Sequence, residues 1–383
     1  MAMKWRRVTR VVGARLTPMK PLNRRGVEVK LAGLWAAILL GGCGAVQPSV
    51  SPSTMPAASG SVEPSPTPVA ITLSSAMPSP LPVTVRMPDG SVIALTVGTG
   101  EQRSIHRIDG DGTHEMTLAA GAAPAWSPDG RSIAFTCPAQ PPIATQLHDV
   151  CIMAADGTAG RRLVEDGSSP HWAPSGRRLT FGRGVIDTGD AWIVDADGSN
   201  PVMLMAGTSP VWSPDGQWLL IQPDTGAFEI AVLRPDGTGF RSLTRGADGA
   251  WSPDSGRIAF AVGKAGGVSL GIVDVATGAT TALIGAQSSL RAPLWLSPDR
   301  LVFIMDGDLY RLDLDSGLVT PLTAGLSLGG NGGRLTASPD GRWLAFAATS
   351  GAEPAGTIFL ASVEGGWTRL TATDPSSDPA WRP

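Results

Sequence analysis

The stretch PAWSPDGRSIAFT, Pro124 to Thr136, recurs along this chain of 383 residues. Each copy holds a segment that ends at a tryptophan, a Ser-Pro-Asp-Gly turn and a short apolar run. Close copies are PHWAPSGRRLTFG, PVWSPDGQWLLIQ and GAWSPDSGRIAFA, and looser ones are PLWLSPDRLVFI, LTASPDGRWLAFA, RMPDGSVIALT and a final PAWRP. Successive repeat prolines are 40, 46, 40, 39, 45, 41 and 44 residues apart, for Pro88, Pro128, Pro174, Pro214, Pro253, Pro298, Pro339 and Pro383. A strand-rich repeat of this length is typical of propeller blades.

Each repeat also contains a second apolar run and a second turn. The first turn is built by Pro, which fixes φ, by Asp, which bonds the backbone, and by Gly at positive φ. The second turn carries a glycine in every repeat, at Gly112, Gly157, Gly198, Gly237, Gly278, Gly317 and Gly365. With the inner segment, three further runs make a four-stranded antiparallel blade. We predict an all-β, seven-bladed β-propeller over residues 83–383, with six blades as the alternative if the first repeat is degenerate.

The last repeat consists of an inner segment alone, PAWRP. We expect this segment to complete the first blade, which would join both ends of the propeller in one sheet and remove an open edge. Val83 to Arg86 competes for the same position. Six of the twelve tryptophans occupy the same repeat position, and we expect them to be wedged between blades.

The recurring WSPDG turn, the IAF-type strand after it and the D-G-T/S turn before R-x-L-T resemble the propeller repeats of the TolB family. Similar repeats occur in the propellers of prolyl-oligopeptidase-type enzymes. The resemblance covers residues 83–383 and is closest at 126–130 and 212–216. It implies a propeller that acts through protein contacts in the cell envelope. TolB-type proteins carry an α/β domain before the propeller, where this chain has a Pro/Ser-rich segment, so the partners of TolB are not carried over.

The N-terminal segment has the layout of an export signal. Leu31 to Leu40 is an apolar run preceded by basic residues, and it is shorter than the roughly 20 residues that span a bilayer. Leu40-Gly41-Gly42-Cys43 resembles the lipobox of bacterial lipoproteins, which implies acyl chains such as palmitate on Cys43. We predict a lipoprotein signal peptide over residues 1–42, with Met19 as an alternative start, and a lipid-anchored tether over 43–82. The location would be the extracytoplasmic face of a bacterial membrane.

The charge distribution argues against nucleic acid as a partner. Residues 1–42 hold nine of the 30 basic residues and one of the 33 acidic residues, which leaves the rest of the chain near −11. A surface of that sign repels phosphate backbones.

No convincing catalytic or cofactor-binding constellation is visible. Gly267 to Gly271 matches G-x-S-x-G, but it lies within a predicted blade strand, and no histidine follows His171; a nucleophile elbow needs a strand, a turn and a helix. The four histidines, His106, His114, His148 and His171, lack metal-ligand spacing. We predict no catalytic, cofactor-binding or metal-binding residue.

Two acidic turns leave calcium open as the weaker alternative. Asp195 to Asn200 and Asp109 to Gly112 are similar to the start of a calcium loop. Both fall at the hairpin turn that every repeat has, and turn chemistry is the favoured interpretation.

Cys137 and Cys151 lie on adjacent predicted strands of one hairpin. In an exported protein such thiols pair. Our hypothesis is a disulfide that pins the Pro138–His148 loop, and the alternative is two small apolar side chains.

Three functions follow as hypotheses for a monomeric propeller. The first is a non-enzymatic envelope lipoprotein that binds a protein or peptide through the loops Pro138–His148, Gly263–Val268 and Leu326–Arg334. The second is small-ligand or carbohydrate binding, or a hydrolase or lyase activity, in the central channel. The third is a solute-sensing subunit for a neighbouring membrane protein.

Overall fold

A computed structural model describes residues 71–73, 87, 90–139, 148–184, 189–208, 210–225, 228–264, 266–328, 334–349, 356–371 and 375–383. The predicted signal peptide with Met19, the anchor Cys43 and nearly all of the predicted tether lie outside these residues. All described residues belong to one unit, residues 64–383.

The described residues form 29 strands and one short 3₁₀ helix, Gly100–Gln102. The first ten strands are β1 (Thr72–Leu73), β2 (Val92–Val97), β3 (Ser104–Asp109), β4 (Met116–Ala120), β5 (Ala122–Trp126), β6 (Ser132–Pro138), β7 (His148–Ala154), β8 (Arg161–Val164), β9 (Ser168–Trp172) and β10 (Arg178–Arg183). The next ten are β11 (Asp190–Asp195), β12 (Val202–Ala206), β13 (Val211–Trp212), β14 (Leu219–Ile221), β15 (Glu229–Leu233), β16 (Arg241–Arg245), β17 (Ala247–Trp251), β18 (Arg257–Lys264), β19 (Gly267–Asp274) and β20 (Thr280–Gln287). The last nine are β21 (Leu290–Ser297), β22 (Arg300–Met305), β23 (Asp308–Asp313), β24 (Leu318–Pro321), β25 (Thr336–Ala337), β26 (Trp343–Ala348), β27 (Thr357–Ser362), β28 (Trp367–Arg369) and β29 (Ser376–Trp381).

These strands form seven antiparallel sheets, and each sheet is one blade. From the inner to the outer strand, the blades are β29-β2-β3-β4, β5 to β8, β9 to β12, β13 to β16, β17 to β20, β21 to β24 and β25 to β28. We number them blade 1 to blade 7 in that order. The prediction of seven blades is confirmed.

Blade 1 contains strands from both ends of the propeller. β29 pairs antiparallel with β2, with Trp381 opposite Ile93 and Ala380 opposite Ala94. The Arg382 Nε also donates a hydrogen bond to the Gly130 carbonyl of blade 2, at 3.0 Å. The predicted closure by the last inner segment is therefore confirmed. Val83 to Arg86, the alternative, lies outside the described residues.

The described core is divided into seven clusters, one between each pair of neighbouring blades. Ile93 of β2 packs toward blade 7, whereas the next residue, Ala94, packs toward blade 2. Because each blade is covered on both faces, its second strand is buried on both faces, and all six residues of β2 are buried, five of them apolar. The non-alternating runs seen in the sequence have this cause.

The repeated tryptophans link neighbouring inner strands. In five blades, the indole N–H donates to a carbonyl on the inner strand of the preceding blade. The pairs are Trp126 with Ala380, Trp172 with Ala125, Trp251 with Val211 and Trp295 with Ala250, each at 3.1 Å, and Trp381 with Thr336, at 3.4 Å. Two blades differ: the Trp212 Nε1 is buried without a partner among the described residues, and Ala337 replaces the tryptophan in blade 7.

A two-residue strand extends blade 6. Thr72 and Leu73 pair in parallel with Leu318 and Val319 of β24, outside the blade's own fourth strand. The Thr72 N–H donates to the Gly317 carbonyl at 3.0 Å. This contact falls within the predicted tether, and the sequence analysis did not foresee it, because the segment has the composition of a linker.

The predicted disulfide is present in the structure. Cys137 of β6 and Cys151 of β7 are joined, with their Cα atoms 5.8 Å apart. The bond ties together the two strands on either side of residues 140–147, which lie outside the described residues.

We expect Trp251→Phe to lower the free energy of unfolding by about 1 kcal/mol more than Trp212→Phe. The two indoles occupy the same repeat position and are similarly buried, at 9% and 8% exposure. Only Trp251 donates a hydrogen bond. Urea unfolding followed by fluorescence tests this, and equal losses in the two variants would show that the inter-blade hydrogen bond contributes nothing.

Replacing both Cys137 and Cys151 with Ala should lower the free energy of unfolding by up to about 3 kcal/mol, the loop-closure value for a bridge of this span. Urea unfolding with and without reductant measures the effect. Reductant should lower the free energy of unfolding of the wild type by a similar amount and should leave the double variant unchanged. Two free thiols in non-reducing mass spectrometry of the mature protein would contradict the bridge.

Candidate functional site

A cavity of about 860 Å³ runs along the axis of the propeller. Every blade contributes to its wall through its inner strand or the residue just before it. Representative lining residues are Ala380, Ala125, His171, Val211, Gly249, Pro293 and Arg334, from blades 1 to 7 in turn. The cavity is therefore the central channel of the propeller.

The strand order defines two different ends of this channel. Within a blade, the Ser-Pro-Asp-Gly turn joins the first and second strands, and the Asp-Gly turn joins the third and fourth strands. Both turns therefore lie at one end, which we name the turn end. The connections between second and third strands, and those between blades, lie at the opposite end, which we name the mouth. The lining residues Ser168, Gly184, Thr208 and Arg291 mark the cavity as open toward the mouth.

A bulge shapes five of the inner strands near the mouth. The residue three positions before the inner-strand tryptophan has a positive φ of 49° to 54° and is not glycine, at Ala123, Ser169, Asp248, Ala292 and Asp378. The pairing with the second strand shifts register at these places. Two of the bulge N–H groups donate to threonine hydroxyls of the preceding blade: Ala123 to Thr96 and Ser169 to Thr136. Such bulges re-aim side chains, here around the channel wall.

The described lining of the cavity carries more positive than negative charge. It includes three arginines, Arg183, Arg291 and Arg334, and one carboxylate, Asp248. Arg183 is held in place, because it donates to the Glu165 and Asp166 carbonyls at 3.0 and 3.1 Å.

The other two arginines have no such partners. Neither Arg291 nor Arg334 makes a hydrogen bond or ion pair with another described residue. The Asp248 carboxylate accepts the Ala292 N–H at 3.2 Å. The mouth thus holds two guanidinium groups whose charge is not matched.

His171 lies deeper in the channel wall. Its Nδ1 is buried and has no hydrogen-bond partner among the described residues. Burial, together with the positive charge of Arg334, lowers the pKa of His171 to about 3, so the ring is neutral at physiological pH. A neutral imidazole with an unpaired nitrogen can donate or accept one hydrogen bond from a bound group.

The carboxylates of the repeat turns belong to the turn end and are occupied by their own turns. The Ser252 hydroxyl and the Gly256 N–H both donate to Asp254, and these bonds lower the pKa of that carboxyl below its ordinary value of 3.8. Hydrogen bonds dominate in the same way, and lower the pKa, in Asp111, Asp129, Asp156, Asp197, Asp236, Asp274 and Asp299. Their role is structural.

In the two turns considered for calcium, the carboxylates likewise accept hydrogen bonds from within the turn. Asp197 accepts the Ser199 N–H and hydroxyl at 2.8 and 2.6 Å, and Asn200 donates to Asp195 at 2.8 Å. Asp111 accepts both groups of Thr113 in the same way. Among the described residues, no group of three or more His, Cys, Asp or Glu side chains is placed to hold a metal ion.

The other sequence candidates lie away from the channel. Ser269 of the G-x-S-x-G match is buried in the middle of β19. His106 contacts Glu115 at 2.8 Å and His114 contacts Asp109 at 3.0 Å, both on blade 1. His148 begins β7.

The three predicted binding loops share one end, since each is a second-to-third-strand or inter-blade connection, but one of them is not an irregular loop. β18 continues to Lys264 and β19 begins at Gly267, so Gly263–Val268 is a tight hairpin. Residues 140–147 and 329–333, the centres of the other two loops, lie outside the described residues.

Sequence reasoning missed the arginines of the mouth. It considered His171 only among the histidines without metal-ligand spacing, and it named Arg334 only as the end of the predicted loop Leu326–Arg334. A usable signal was present: Asp248, Arg291 and Arg334 stand three or four residues before an inner-strand Trp or its equivalent, Ala337.

Comparison with known proteins agrees with this geometry. The model of the TolB beta propeller domain family matches residues 116–296, from the outer strand of blade 1 to the inner strand of blade 6. The chain is 32% identical over 149 residues to the uncharacterized protein Atu1656 of Agrobacterium fabrum, covering 36% of this chain and 49% of that protein. It is 37% identical over 98 residues to the Tol-Pal system protein TolB of Gluconobacter oxydans, covering 23% of this chain and 21% of that protein. The chain therefore spans about half of the first relative and about a fifth of the second.

A solved structure shows the same fold at low identity. The β-propeller domain of the Trilobed protease from Pyrococcus furiosus is 14% identical, with a TM-score of 0.53 over 74% of this chain and 93% of that one. The architecture defines a seven-bladed propeller built from sequence repeats. Together with the repeat motifs and the matched segment, it makes the chain a β-propeller protein with TolB-like repeats.

We expect acid to destabilise the propeller through its turn carboxylates. Because their pKa values are lower in the folded than in the unfolded state, their contribution is complete above about pH 4 and is lost as pH falls through the folded pKa. The urea midpoint should fall between pH 5 and about pH 3, and Asp254→Asn should reduce that fall. Asp315→Asn, at an exposed aspartate with no hydrogen bond to its carboxylate from another described residue, is the control and should leave the fall unchanged. An equal fall in wild type and Asp254→Asn would contradict this account.

Proposed function

We propose that this protein is a non-enzymatic lipoprotein of the bacterial envelope, anchored through Cys43, whose propeller binds a protein or peptide at its mouth. The observation that carries the proposal is the convergence, at one end, of the open channel, the described inter-blade connections and the described ends of the predicted loops Pro138–His148 and Leu326–Arg334. Rigid blades that present variable connections on one face are a usual arrangement for recognition.

The mouth also offers apolar surface. Phe228, just before β15, is 72% exposed on a second-to-third-strand connection. Exposed aromatic side chains are enriched at protein interfaces, where they contribute large contact areas. An exposed ring at the same end as a cationic channel is suited to a partner that carries both apolar and acidic groups.

The channel wall does not favour catalysis as the alternative function. Among the described lining residues, His171 is the only histidine, and its Nδ1 contacts no carboxylate. A hydrolytic nucleophile requires a base that is itself oriented by a third group. The relatedness to TolB of a Tol-Pal system supports an envelope protein as the kind of partner.

The membrane anchor can be tested directly. In the source bacterium, the full chain should incorporate an alkyne-labelled palmitate, and Cys43→Ala should not, because the other two cysteines are joined to each other. Among the described residues no helix is long and apolar enough to cross a membrane. Equal labelling of the wild type and Cys43→Ala would contradict the anchor.

The binding function requires a second readout. In-cell crosslinking of the wild type should capture one or two dominant envelope proteins, and their yield should fall or change in Cys43→Ala because the propeller is no longer held at the membrane. The absence of any partner above background in the wild type would overturn the proposed function.

A further inference from the structure

The described lining of the channel has a charge opposite in sign to that of the chain after residue 42. The chain after residue 42 has a net charge near −11. The described lining of the channel has three arginines against a single aspartate, with His171 neutral. Cations in a concave, partly desolvated site attract anionic groups more strongly than the same cations on a flat surface.

Two of these arginines are available to a ligand. Arg291 and Arg334 belong to neighbouring blades, 6 and 7, and both are half-buried without a hydrogen bond or ion pair to another described residue. A guanidinium presents a fixed fork of N–H donors that matches a carboxylate. Half-buried guanidinium groups without protein partners are suited to an anion that arrives from outside.

Arg183 and Asp248 are already engaged and set the limits of the site. Arg183 lies 4.2 Å above the Trp192 ring and donates to two backbone carbonyls, so its direction is fixed. Asp248 accepts the Ala292 N–H of blade 6, so its carboxylate lies between blades 5 and 6 and repels an acid there. An acidic group is therefore best placed toward Arg334, on the blade 7 side.

The His171 Nδ1 supplies an independent indication of a ligand. A buried polar nitrogen without a partner costs free energy of folding, and this one lies in the wall of the same channel. Arg334 is close enough to influence the His171 ring electrostatically.

The channel wall is suited to an extended chain as the carrier of the anion. Gly182, Gly184, Gly189, Gly207 and Gly249 line it. Because glycine has no side chain, this part of the wall is backbone, which an extended peptide can approach closely. A small free acid would use the arginines only.

We propose that Arg291 and Arg334 bind carboxylate groups of an acidic peptide segment that enters the channel from the mouth. This inference rests on the proposed peptide-binding function and names the chemistry of its ligand.

Fluorescence anisotropy with two labelled peptides tests the inference on the wild-type protein. The probes are Gly-Glu-Ala-Glu with a free C-terminus and its uncharged counterpart, Gly-Gln-Ala-Gln amide. The acidic peptide should bind at low salt, the uncharged peptide should bind at least about tenfold more weakly, and salt should weaken only the acidic one. Binding of both peptides alike, or of neither at millimolar concentration, would overturn the proposal.

Variants locate the site. Arg291→Gln with Arg334→Gln should weaken the acidic peptide about tenfold or more. Arg177→Gln with Arg178→Gln removes the same charge from two exposed arginines that flank the turn end of blade 3 and should leave binding within about twofold of wild type. Thermal unfolding of both double variants shows whether they are folded. Equal losses in the two variants would contradict a specific site.

A competition arm separates a peptide from a small acid. Succinate should displace the labelled peptide only at much higher concentration than unlabelled Gly-Glu-Ala-Glu does. Displacement at equal concentration would overturn the peptide as ligand in favour of a free dicarboxylic acid.

The failure of this inference differs from the failure of the proposed function. Crosslinked partners that persist in the arginine double variant would refute the carboxylate site and retain the binding function. Specific peptide binding in solution without any partner in cells would retain the carboxylate site and refute the proposed function in the cell.

Discussion

The hydrogen bond from an inner-strand indole to the carbonyl of the preceding blade is the contact on which the ring depends. Apolar packing between blades is non-directional and tolerates sliding of one sheet over another. An indole N–H donor at the same position of each inner strand allows only one alignment between the inner strands of neighbouring blades. Five of the seven blades make this hydrogen bond. That alignment in turn fixes where each inner strand begins, and therefore where the mouth residues lie. The two departures, Trp212 and Ala337, belong to blades 4 and 7.

The polar side chains at the two ends of the propeller differ in how far the protein itself satisfies their hydrogen bonds and charges. At the turn end, carboxylates are saturated by hydroxyl and backbone donors within a few residues, so they contribute to folding and have little capacity left for a ligand. At the mouth, the inner strands are bulged and the side chains on them lie next to residues of other blades. Arg291 and Arg334 have no ion pair with another described residue there. The distinction follows from chain direction: the carboxylates of local turns are hydrogen-bonded within the same turn, whereas the connections between blades have no repeated hydrogen-bonding pattern and can vary in sequence.

The fold could be predicted almost completely from the sequence, because its determinants are local and repeated. Blade number and closure follow from the turn residues and from a final inner segment that has no outer strands after it. The mouth could not be predicted to the same degree, since Arg183, Arg291 and Arg334 are separated by about 150 residues and meet only when the ring has closed. The inner-strand bulges near the mouth could not be predicted from glycines either, because Ala123 and Ala292 adopt a positive φ at the bulge position. The pairing of Thr72 with Leu318 was equally hidden, because a two-residue strand leaves no periodic pattern.

The closure of blade 1 has a consequence for how the protein is made. β2 emerges from the ribosome long before β29, which completes its sheet, because the residues between Val97 and Ser376 must be synthesised first. At about 5 to 20 residues per second, that interval is on the order of 15 to 60 seconds. Throughout it, the inner edge of β2 lacks its native neighbour and can pair with any extended strand nearby. Until β29 is synthesised and pairs with it, this edge is therefore the part of blade 1 that is most exposed to aggregation.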